Sequence, residues 1–176
     1  MNTWNQLRAI LLLPGVIAVV IPATILYYTG VAWPPLGWNV VTGCVFTCAG
    51  LALMIWTNRL FTTVGHGTLA PWNPPKKLVV LGVYQHVRNP MITGALCILL
   101  GEAIFFGSWW LLAWFGFVLI LNLIYIPLSE EPGLVRRFGD DYLRYKRNVP
   151  RWIPRLTPWE GLSEPTELKQ EGGRHE

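Results

Sequence analysis

The chain has 176 residues, of which 52% are hydrophobic and only 14% are charged, with a mean hydropathy of +0.38. A soluble domain carries roughly 25% charged residues, so this composition argues against an ordinary soluble domain and indicates one compact membrane-embedded domain. The formal net charge of +4 suits an anionic membrane surface better than nucleic acid, and no nucleic-acid partner is expected.

Four apolar segments follow one another along the chain, and a membrane span needs roughly 20 mostly apolar residues. The predicted spans cover about 9–28, 37–56, 90–106 and 108–128. An alternative for the first segment is a cleaved signal peptide, because Arg8 precedes an apolar core, but no small-x-small cleavage site follows it. The third segment contains Glu102, interpreted as a satisfied polar residue near the outer end of the helices.

Between the second and third spans, residues 57–89 are predicted to form a cytoplasmic loop. Its first part, 57–81, is rich in glycine and proline and has the periodicity of neither helix nor strand. Loops of this length inside a compact domain are more often functional than idle. We therefore expect an ordered loop over the cytoplasmic face.

Only Gly107 and Ser108 separate the third and fourth spans, so these are predicted to form an antiparallel helical hairpin. Its open end returns to the cytoplasmic face, where the residues before 90 and after 128 would converge. Pro127 and Pro132 are predicted to interrupt regular helix there, freeing backbone groups that can line a cavity.

After Pro132, apolar residues recur at helical spacing and predict a cytoplasmic amphipathic helix over 132–149. These apolar residues are Leu134, Phe138, Tyr142, Tyr145 and Val149. Such a helix lies on the bilayer or the bundle, or covers a cofactor. The polar tail 156–176 lacks periodicity and is predicted to be disordered, which leaves one domain over 1–155.

All fourteen lysine and arginine residues fall on one side of this four-span arrangement. By the positive-inside rule both termini then face the cytoplasm. The fold class predicted is an all-α, multi-pass integral membrane protein, located in the cytoplasmic membrane if bacterial and in the endoplasmic reticulum if eukaryotic.

The three cysteines fall in apolar segments and are interpreted as buried free thiols. The three histidines have neither the spacing nor the carboxylate partners of a metal site. No metal is therefore predicted.

Two polar blocks flank the predicted hairpin. The first reads LGVYQHVRNPM over 81–91, and the second comprises SEEP at 129–132, FGDDY at 138–142 and VPRWIP at 149–154. Together they resemble the isoprenylcysteine carboxyl methyltransferase family, which is related to the phospholipid methyltransferases. The family pattern is roughly G-x-Y-x-x-x-R-[HN]-P-x-Y, two helices, then E-E-x-x-L-x-x-x-F-G-x-x-Y-x-x-Y-x-x-x-V-P-R. The resemblance covers about 66–154, and its specificity lies in the agreement of two separated blocks.

The resemblance implies a membrane enzyme that uses S-adenosylmethionine. Carried over residue by residue, it implies cofactor contacts from Lys76, Lys77, Leu78, Val79, Tyr84, Asn89, Pro90, Met91, Ile92 and Glu130. These residue types suit such a cofactor, which needs a carboxylate for its ammonium or ribose hydroxyls, donors for its carboxylate, an apolar slot for adenine and aromatic faces near its sulfonium.

The candidate catalytic residues are Arg88, Glu131 and Arg151. The two arginines would be cations beside an acceptor, and Glu131 is the one obvious general base. Three positions depart from the family. The usual histidine is Asn89, which cannot titrate near neutral pH; the usual tyrosine is Ile92; and the arginine that faces a prenylcysteine substrate is Ile126. The expected activity is therefore methyl transfer to a lipophilic or lipidated acceptor from the bilayer, without a commitment to prenylcysteine.

Other interpretations stay open. The acceptor could be a phospholipid amine or another lipid, and the chain could instead be a membrane reductase of sterol type or a non-enzymatic membrane protein. Single residues have structural alternatives as well. Arg88 and Arg151 could contact lipid headgroups, the two acids could simply begin a helix, and Tyr84 could anchor the chain at the interface. Lys76 and Lys77 could be a topology signal alone.

Overall fold

A computed structural model of the protein describes residues 15–34, 37–63 and 78–161, and these ranges contain helices but no strand. The all-α class is confirmed for this part of the chain. Two helices are long and apolar enough to cross a membrane, Trp38–Leu60 and Trp109–Asn148, and two shorter apolar helices cover Val16–Thr29 and Pro90–Phe106. The number of four spans stays a prediction.

Five helices follow in chain order. Helix α1 comprises a π-helical turn, Val16–Val20, and an α-helical part, Ile21–Thr29. Helix α2 covers Trp38–Thr63, α3 covers Pro90–Phe106 and α4 covers Trp109–Tyr125. A π-helical segment, Ile126–Glu130, joins α4 to α5, which covers Glu131–Asn148. A short 3-10 helix, Gly82–Gln85, lies between α2 and α3.

Local signals explain the ends of α3 and α4. Pro90 is at the first position of α3, where a missing N–H costs nothing. Gly107 ends α3 in the left-handed conformation, with φ 58°, and its N–H donates to carbonyls of the last turn. Ser108 is the N-cap of α4, where its side chain accepts from the Leu111 N–H. The two helices are thus joined by two residues.

Helices α2 and α3 pack antiparallel with their backbones in close contact, because glycines face each other at two levels. A Cβ atom on Gly50 would lie 2.5 Å from the Gly94 carbonyl oxygen, and one on Gly43 would lie 2.7 Å from the Gly101 carbonyl oxygen. Small residues permit this approach between apolar helices, where van der Waals packing drives association. The pair forms a rigid base for the polar segment that precedes Pro90.

The main apolar core lies among α1, α3 and α4. Its buried residues are Ala18, Leu96, Ile98, Leu99 and Val118. Leu99 is 1% exposed, so the centre of this core sits on α3, between the glycine contacts with α2 and the side chains of α4. The first polar block of the sequence immediately precedes α3, and the second follows α4. Both blocks are therefore attached to this core.

The structure differs from the predicted boundary at the end of the second apolar segment. Helix α2 continues past residue 56 to Thr63, so the prediction that 57–63 lacks helix is wrong. The stretch after Trp56 holds no glycine or proline until Gly65, and Thr57 is fully buried with its hydroxyl donating to the Leu53 carbonyl oxygen at 2.9 Å. Tertiary packing thus continues the helix where periodicity had faded.

The two prolines after α4 do not break the helical path. Pro127 lies within the π-helical segment Ile126–Glu130 and Pro132 within the first turn of α5. A wider turn absorbs a proline's missing N–H and its ring without leaving the helix. The predicted interruption of α-helical geometry is present, but as a π-helical segment inside a continuous helical run.

Candidate active site

A glycine inside α5 decides the geometry of the site. Gly139 has φ 54° and ψ −130°, non-helical values that kink α5 into two parts. In one straight helix Lys146 would lie roughly 22 Å from Glu131, yet the Lys146 Nζ atom is 2.7 Å from Glu131 Oε2. The helix predicted over 132–149 is therefore present, but it is kinked at Gly139. The chain folds back at Gly139, and its second half returns to the first.

The kink gathers the apolar residues of α5 into a second core. Tyr142, Tyr145 and Val149 are each at most 3% exposed and pack with Val80. Leu134 and Phe138, from before the kink, pack against the same cluster. The apolar residues predicted to share a face do meet, but they do so across a bend.

Glu131 is the centre of an ion cluster. Its Oε1 atom accepts from Arg88 Nη1 at 2.9 Å and from Arg151 Nε at 2.9 Å, and Arg151 Nη2 lies 2.7 Å away. The Glu131 side chain is only 3% exposed. The structure therefore brings together all three candidate catalytic residues. It adds Lys146, which could not be predicted from the sequence because a straight helix would have kept it distant.

The charges around Glu131 set its protonation. Burial raises the pKa of Glu131, but the Lys146 hydrogen bond and the charges and hydrogen bonds of Arg88 and Arg151 outweigh burial and lower the net pKa below the usual value. A carboxylate held by three cations binds a proton poorly. Glu131 is consequently a weak general base and a strong positioning group for the two arginines.

Arg88 fastens the first polar block to the end of α5. Its Nε donates to the Val149 carbonyl oxygen at 2.9 Å, its Nη1 reaches the Tyr142 hydroxyl at 3.4 Å, and its backbone N–H donates to the Pro150 carbonyl oxygen at 2.9 Å. With 9% of its side chain exposed, Arg88 is engaged inside the protein rather than directed at a headgroup. Arg151 is 27% exposed and is the more accessible of the two.

The chain after α5 wraps along residues 84–88. The Tyr145 hydroxyl donates to the Tyr84 carbonyl oxygen at 2.7 Å. The Arg155 N–H donates to the His86 carbonyl oxygen at 3.0 Å, and the Trp159 N–H donates to the Gln85 carbonyl oxygen at 3.1 Å. These partners are backbone carbonyls, which no sequence motif identifies.

Ordered contacts therefore extend beyond the predicted domain end at 155. The Trp159 ring also lies against the Tyr145 ring, with 5.9 Å between their centroids. The prediction of a disordered tail is wrong for 156–161, because an aromatic residue anchors this stretch to the second core. The rest of that predicted tail, 162–176, falls outside the described residues.

The predicted cofactor residues that the structure describes lie beside the second core and at the start of α3. Val79 and Tyr84 are 4% and 6% exposed, and Leu78 packs against the second core. Asn89 is the N-cap of α3 but makes no side-chain cap hydrogen bond. Pro90 and Met91 form the first turn of α3 and Ile92 packs against the main core, while Lys76 and Lys77 fall outside the described residues.

Glu130 differs sharply from the acid beside it. Among the described residues no hydrogen bond or ion pair engages its carboxylate. Burial raises the pKa of Glu130, and the neighbouring charge of Glu131 raises it further. The charge of Glu130 in turn contributes, after burial and Tyr145, to a raised pKa of Tyr84. Glu130 and Tyr84, from different polar blocks, therefore lie within electrostatic reach of each other.

Two further sequence predictions concern residues in the apolar helices. Cys44 and Cys48 are free but exposed on the surface of α2 rather than buried. Glu102 Oε2 is buried with no hydrogen-bond partner in the described part of the chain, so the expectation of a satisfied side chain is wrong. Within the same residues no group of His, Cys, Asp or Glu could hold a metal ion.

We expect Gly139→Ala to destabilise the protein by about 1 to 3 kcal/mol, because alanine is strained at the left-handed φ that the kink requires. The matched control is Gly133→Ala, in the helical part of α5, where a Cβ atom meets nothing within 4 Å; it should be neutral or slightly stabilising. Thermal unfolding in detergent measures both. Equal stability of the two variants would show that the kink is not needed.

The described residues define a helical protein of membrane type, with a buried ion cluster that joins two polar segments at one end of the apolar helices. The model of the phospholipid methyltransferase family matches residues 38–141. The chain belongs to this family. The matched region includes α2, the first polar block, α3, α4 and the kink at Gly139.

Two relatives support this placement. A protein-S-isoprenylcysteine O-methyltransferase from Schizosaccharomyces pombe is 31% identical over 113 residues, covering 62% of this chain and 47% of the relative. The chain thus spans about half the length of that enzyme. An uncharacterized protein from Haemophilus influenzae is 41% identical over 66 residues, covering 36% of this chain and all of the relative. No solved structure matches the chain.

Proposed function

We propose that the protein transfers a methyl group from S-adenosylmethionine to a lipophilic acceptor. The observation that carries the proposal is the difference between two adjacent acids. Glu131 is neutralised by three cations, whereas Glu130 is half-buried within electrostatic reach of Tyr84 and has no partner among the described residues. Even partial burial of an unpaired carboxylate has a free-energy cost, and a ligand that pairs with the carboxylate removes it. In a member of a methyltransferase family, a cationic cofactor is the ligand that such a group fits.

The residues around Glu130 fit this cofactor. Glu130 would bind the ammonium group or the ribose hydroxyls, and Asn89, whose side chain makes no cap hydrogen bond, would donate to the carboxylate. Leu78, which is half-buried, would supply apolar surface for adenine with Val79 beneath it, and the Tyr84 ring would supply an aromatic group near the positive sulfur. When bound, S-adenosylmethionine supplies the methyl group from a sulfonium centre.

The protein's own contribution is alignment. Holding two reactants in a reactive geometry is worth about 7 to 11 kcal/mol of the barrier. The Glu131 ion cluster serves this purpose, because it fixes Arg88 at the start of α3 and Arg151 beyond α5 relative to each other. The predicted cofactor residues of the first block and the segment after α5 therefore keep one relative position.

The acceptor we favour carries a carboxylate at the end of an apolar body. Glu131 is a weak base, so a nucleophile that attacks without losing a proton suits this site best. Arg151, at 27% exposure, is the accessible cation for such a carboxylate. The apolar body of the acceptor would remain in the bilayer beside α3 and α4.

A lipid amine is the second candidate acceptor. Its ammonium group must lose a proton before it attacks, and because Glu130 is assigned to the cofactor, Glu131 would have to accept that proton. The family match to phospholipid methyltransferases agrees with this class of acceptor.

Labelled methyl transfer tests the proposal and separates the two acceptors. Purified protein is incubated with methyl-labelled S-adenosylmethionine and total membrane lipid, and the labelled lipid is then treated with alkali. A methyl ester releases labelled methanol, as we expect, whereas an N-methyl product retains its label and would favour the amine. No label in any lipid fraction, together with binding of a nicotinamide cofactor, would favour a sterol-type reductase instead.

We also propose that both termini face the cytoplasm, so that the cofactor reaches the site from that side. In a background with the natural cysteines replaced by serine, Ala32→Cys should react with a membrane-impermeant maleimide from outside, and Arg147→Cys from the cytoplasm only. Both positions are exposed. Labelling of the two cysteines from the same side would contradict this topology.

A further inference from the structure

Trp152 has an indole N–H donor that no residue in the described part of the chain accepts. It follows Arg151 directly, and its ring packs against the main core of α1, α3 and α4. Its Nε1 atom is buried and has no hydrogen-bond partner among the described residues. Most buried polar groups in native proteins are paired, so an orphaned donor calls for a physical explanation.

A second tryptophan in the same core shows that this packing can satisfy an indole N–H. Trp114 also packs against the main core and is half-buried like Trp152. Its Nε1 donates to the Ile17 carbonyl oxygen at 3.1 Å. The two tryptophans therefore differ in one respect that matters here: only the Trp152 donor lacks a partner in the described structure.

The backbone around Trp152 is held on both sides. The Pro150 carbonyl oxygen accepts from the Arg88 N–H at 2.9 Å, and the Arg155 N–H donates to the His86 carbonyl oxygen at 3.0 Å. The adjacent Arg151 side chain is fixed on Glu131. Trp152 consequently lies at the boundary between the ion cluster, which its neighbour Arg151 contacts, and the apolar core, which its own ring contacts.

We propose that Trp152 determines acceptor specificity by donating a hydrogen bond to an oxygen at the acceptor's reacting end. An acceptor with an apolar body and an oxygen-bearing end fits this boundary, since its body meets the core while its end meets Arg151 and the Trp152 N–H. An ammonium group has no lone pair for this donor and is not held by it. The inference rests on the methyl transfer proposed above and selects an oxygen acceptor within it.

Trp152→Phe tests the inference, because phenylalanine keeps an aromatic ring and removes the N–H. We expect the concentration of total membrane lipid that half-saturates methyl transfer to rise roughly ten- to hundredfold, the factor for one hydrogen bond to a charged group. The half-saturating concentration of S-adenosylmethionine should stay the same. The matched control, Trp114→Phe, should change neither concentration.

Thermal stability is a second measurement, and it distinguishes a binding role of Trp152 from a purely structural one. Trp152→Phe removes an unsatisfied donor and should leave the thermal unfolding temperature unchanged or raised, whereas Trp114→Phe removes a satisfied one and should lower it. An equal loss of stability in both variants would overturn the inference. So would wild-type activity with an unchanged lipid dependence in Trp152→Phe, while the proposed function would stand. No methyl transfer by the wild-type protein would overturn both.

Discussion

Glu131→Ala should destabilise the protein by about 3 to 5 kcal/mol, the range expected when one partner of a buried ion cluster is removed. Arg88, 9% exposed, would keep its charge without a counter-ion, and Arg151 and Lys146 would lose the same partner. Chemical unfolding in detergent measures the loss. The matched control is Glu130→Ala, which removes the adjacent acid from a position with no described ion pair and should change stability little.

A double-mutant cycle identifies the source of this loss. Arg151→Ala should cost clearly less in the Glu131→Ala background than in the natural protein, because residues in one ion cluster have coupled effects. Additive losses would mean that Glu131 stabilises the fold through packing and not through its charge.

The pH dependence of the free energy of unfolding should also show that the charge of Glu131 stabilises the fold. Since the folded pKa of Glu131 is lowered, its stabilising contribution is complete above its unfolded pKa of about 4.3. The contribution is lost as pH falls through the lower folded pKa. Stability should therefore drop below about pH 4.3 in the natural protein and drop less in Glu131→Gln. If the stability of both proteins decreased equally at acidic pH, the lowered pKa of Glu131 would be contradicted.

Glu130→Ala should weaken cofactor binding by about 1.5 to 3 kcal/mol, or roughly 10- to 150-fold in the dissociation constant, if Glu130 accepts hydrogen bonds from the cofactor in a partly dry site. Calorimetry with S-adenosylhomocysteine, which keeps the ammonium group and the ribose, measures the change. The control is Asp141→Ala, an exposed acid on the far side of the kink, which should bind with the natural affinity.

The two acids make opposite predictions for the two measurements. Glu130→Ala should change affinity and preserve the fold, whereas Glu131→Ala should change stability first. Unaltered affinity in Glu130→Ala would reduce Glu130 to a residue at the start of a helix. The comparison thus separates the proposed binding role from the structural one within two consecutive positions.

Local physical chemistry allowed much of the helical architecture to be predicted. Pro90, Gly107 and Ser108 mark the limits of α3 and the start of α4 through their own backbone and capping preferences. The two polar blocks were predicted to converge, and Arg88 of the first block does meet Glu131 of the second. These predictions depend on neighbouring residues or on a two-residue connection, so the sequence contains the necessary information.

Predictions failed where the deciding partner was distant or was a backbone group. The fold-back at Gly139 brings Lys146 to Glu131, and helical periodicity alone does not distinguish a kinked helix from a straight one. Trp159 is anchored by the Gln85 carbonyl oxygen and the Tyr145 ring, neither of which a sequence pattern assigns to it. The end of α2 also depends on packing around Thr57.

By itself the sequence determined an apolar helical protein with two polar blocks, because hydrophobic burial and helix-end preferences act over short ranges. The tertiary structure alone decided what each member of those blocks does. Glu130 and Glu131 are chemically identical and adjacent, but consecutive helical residues point about 100° apart. One carboxylate therefore meets three cations brought in from 88, 146 and 151, and the other lies within electrostatic reach of Tyr84 and has no hydrogen-bond partner among the described residues.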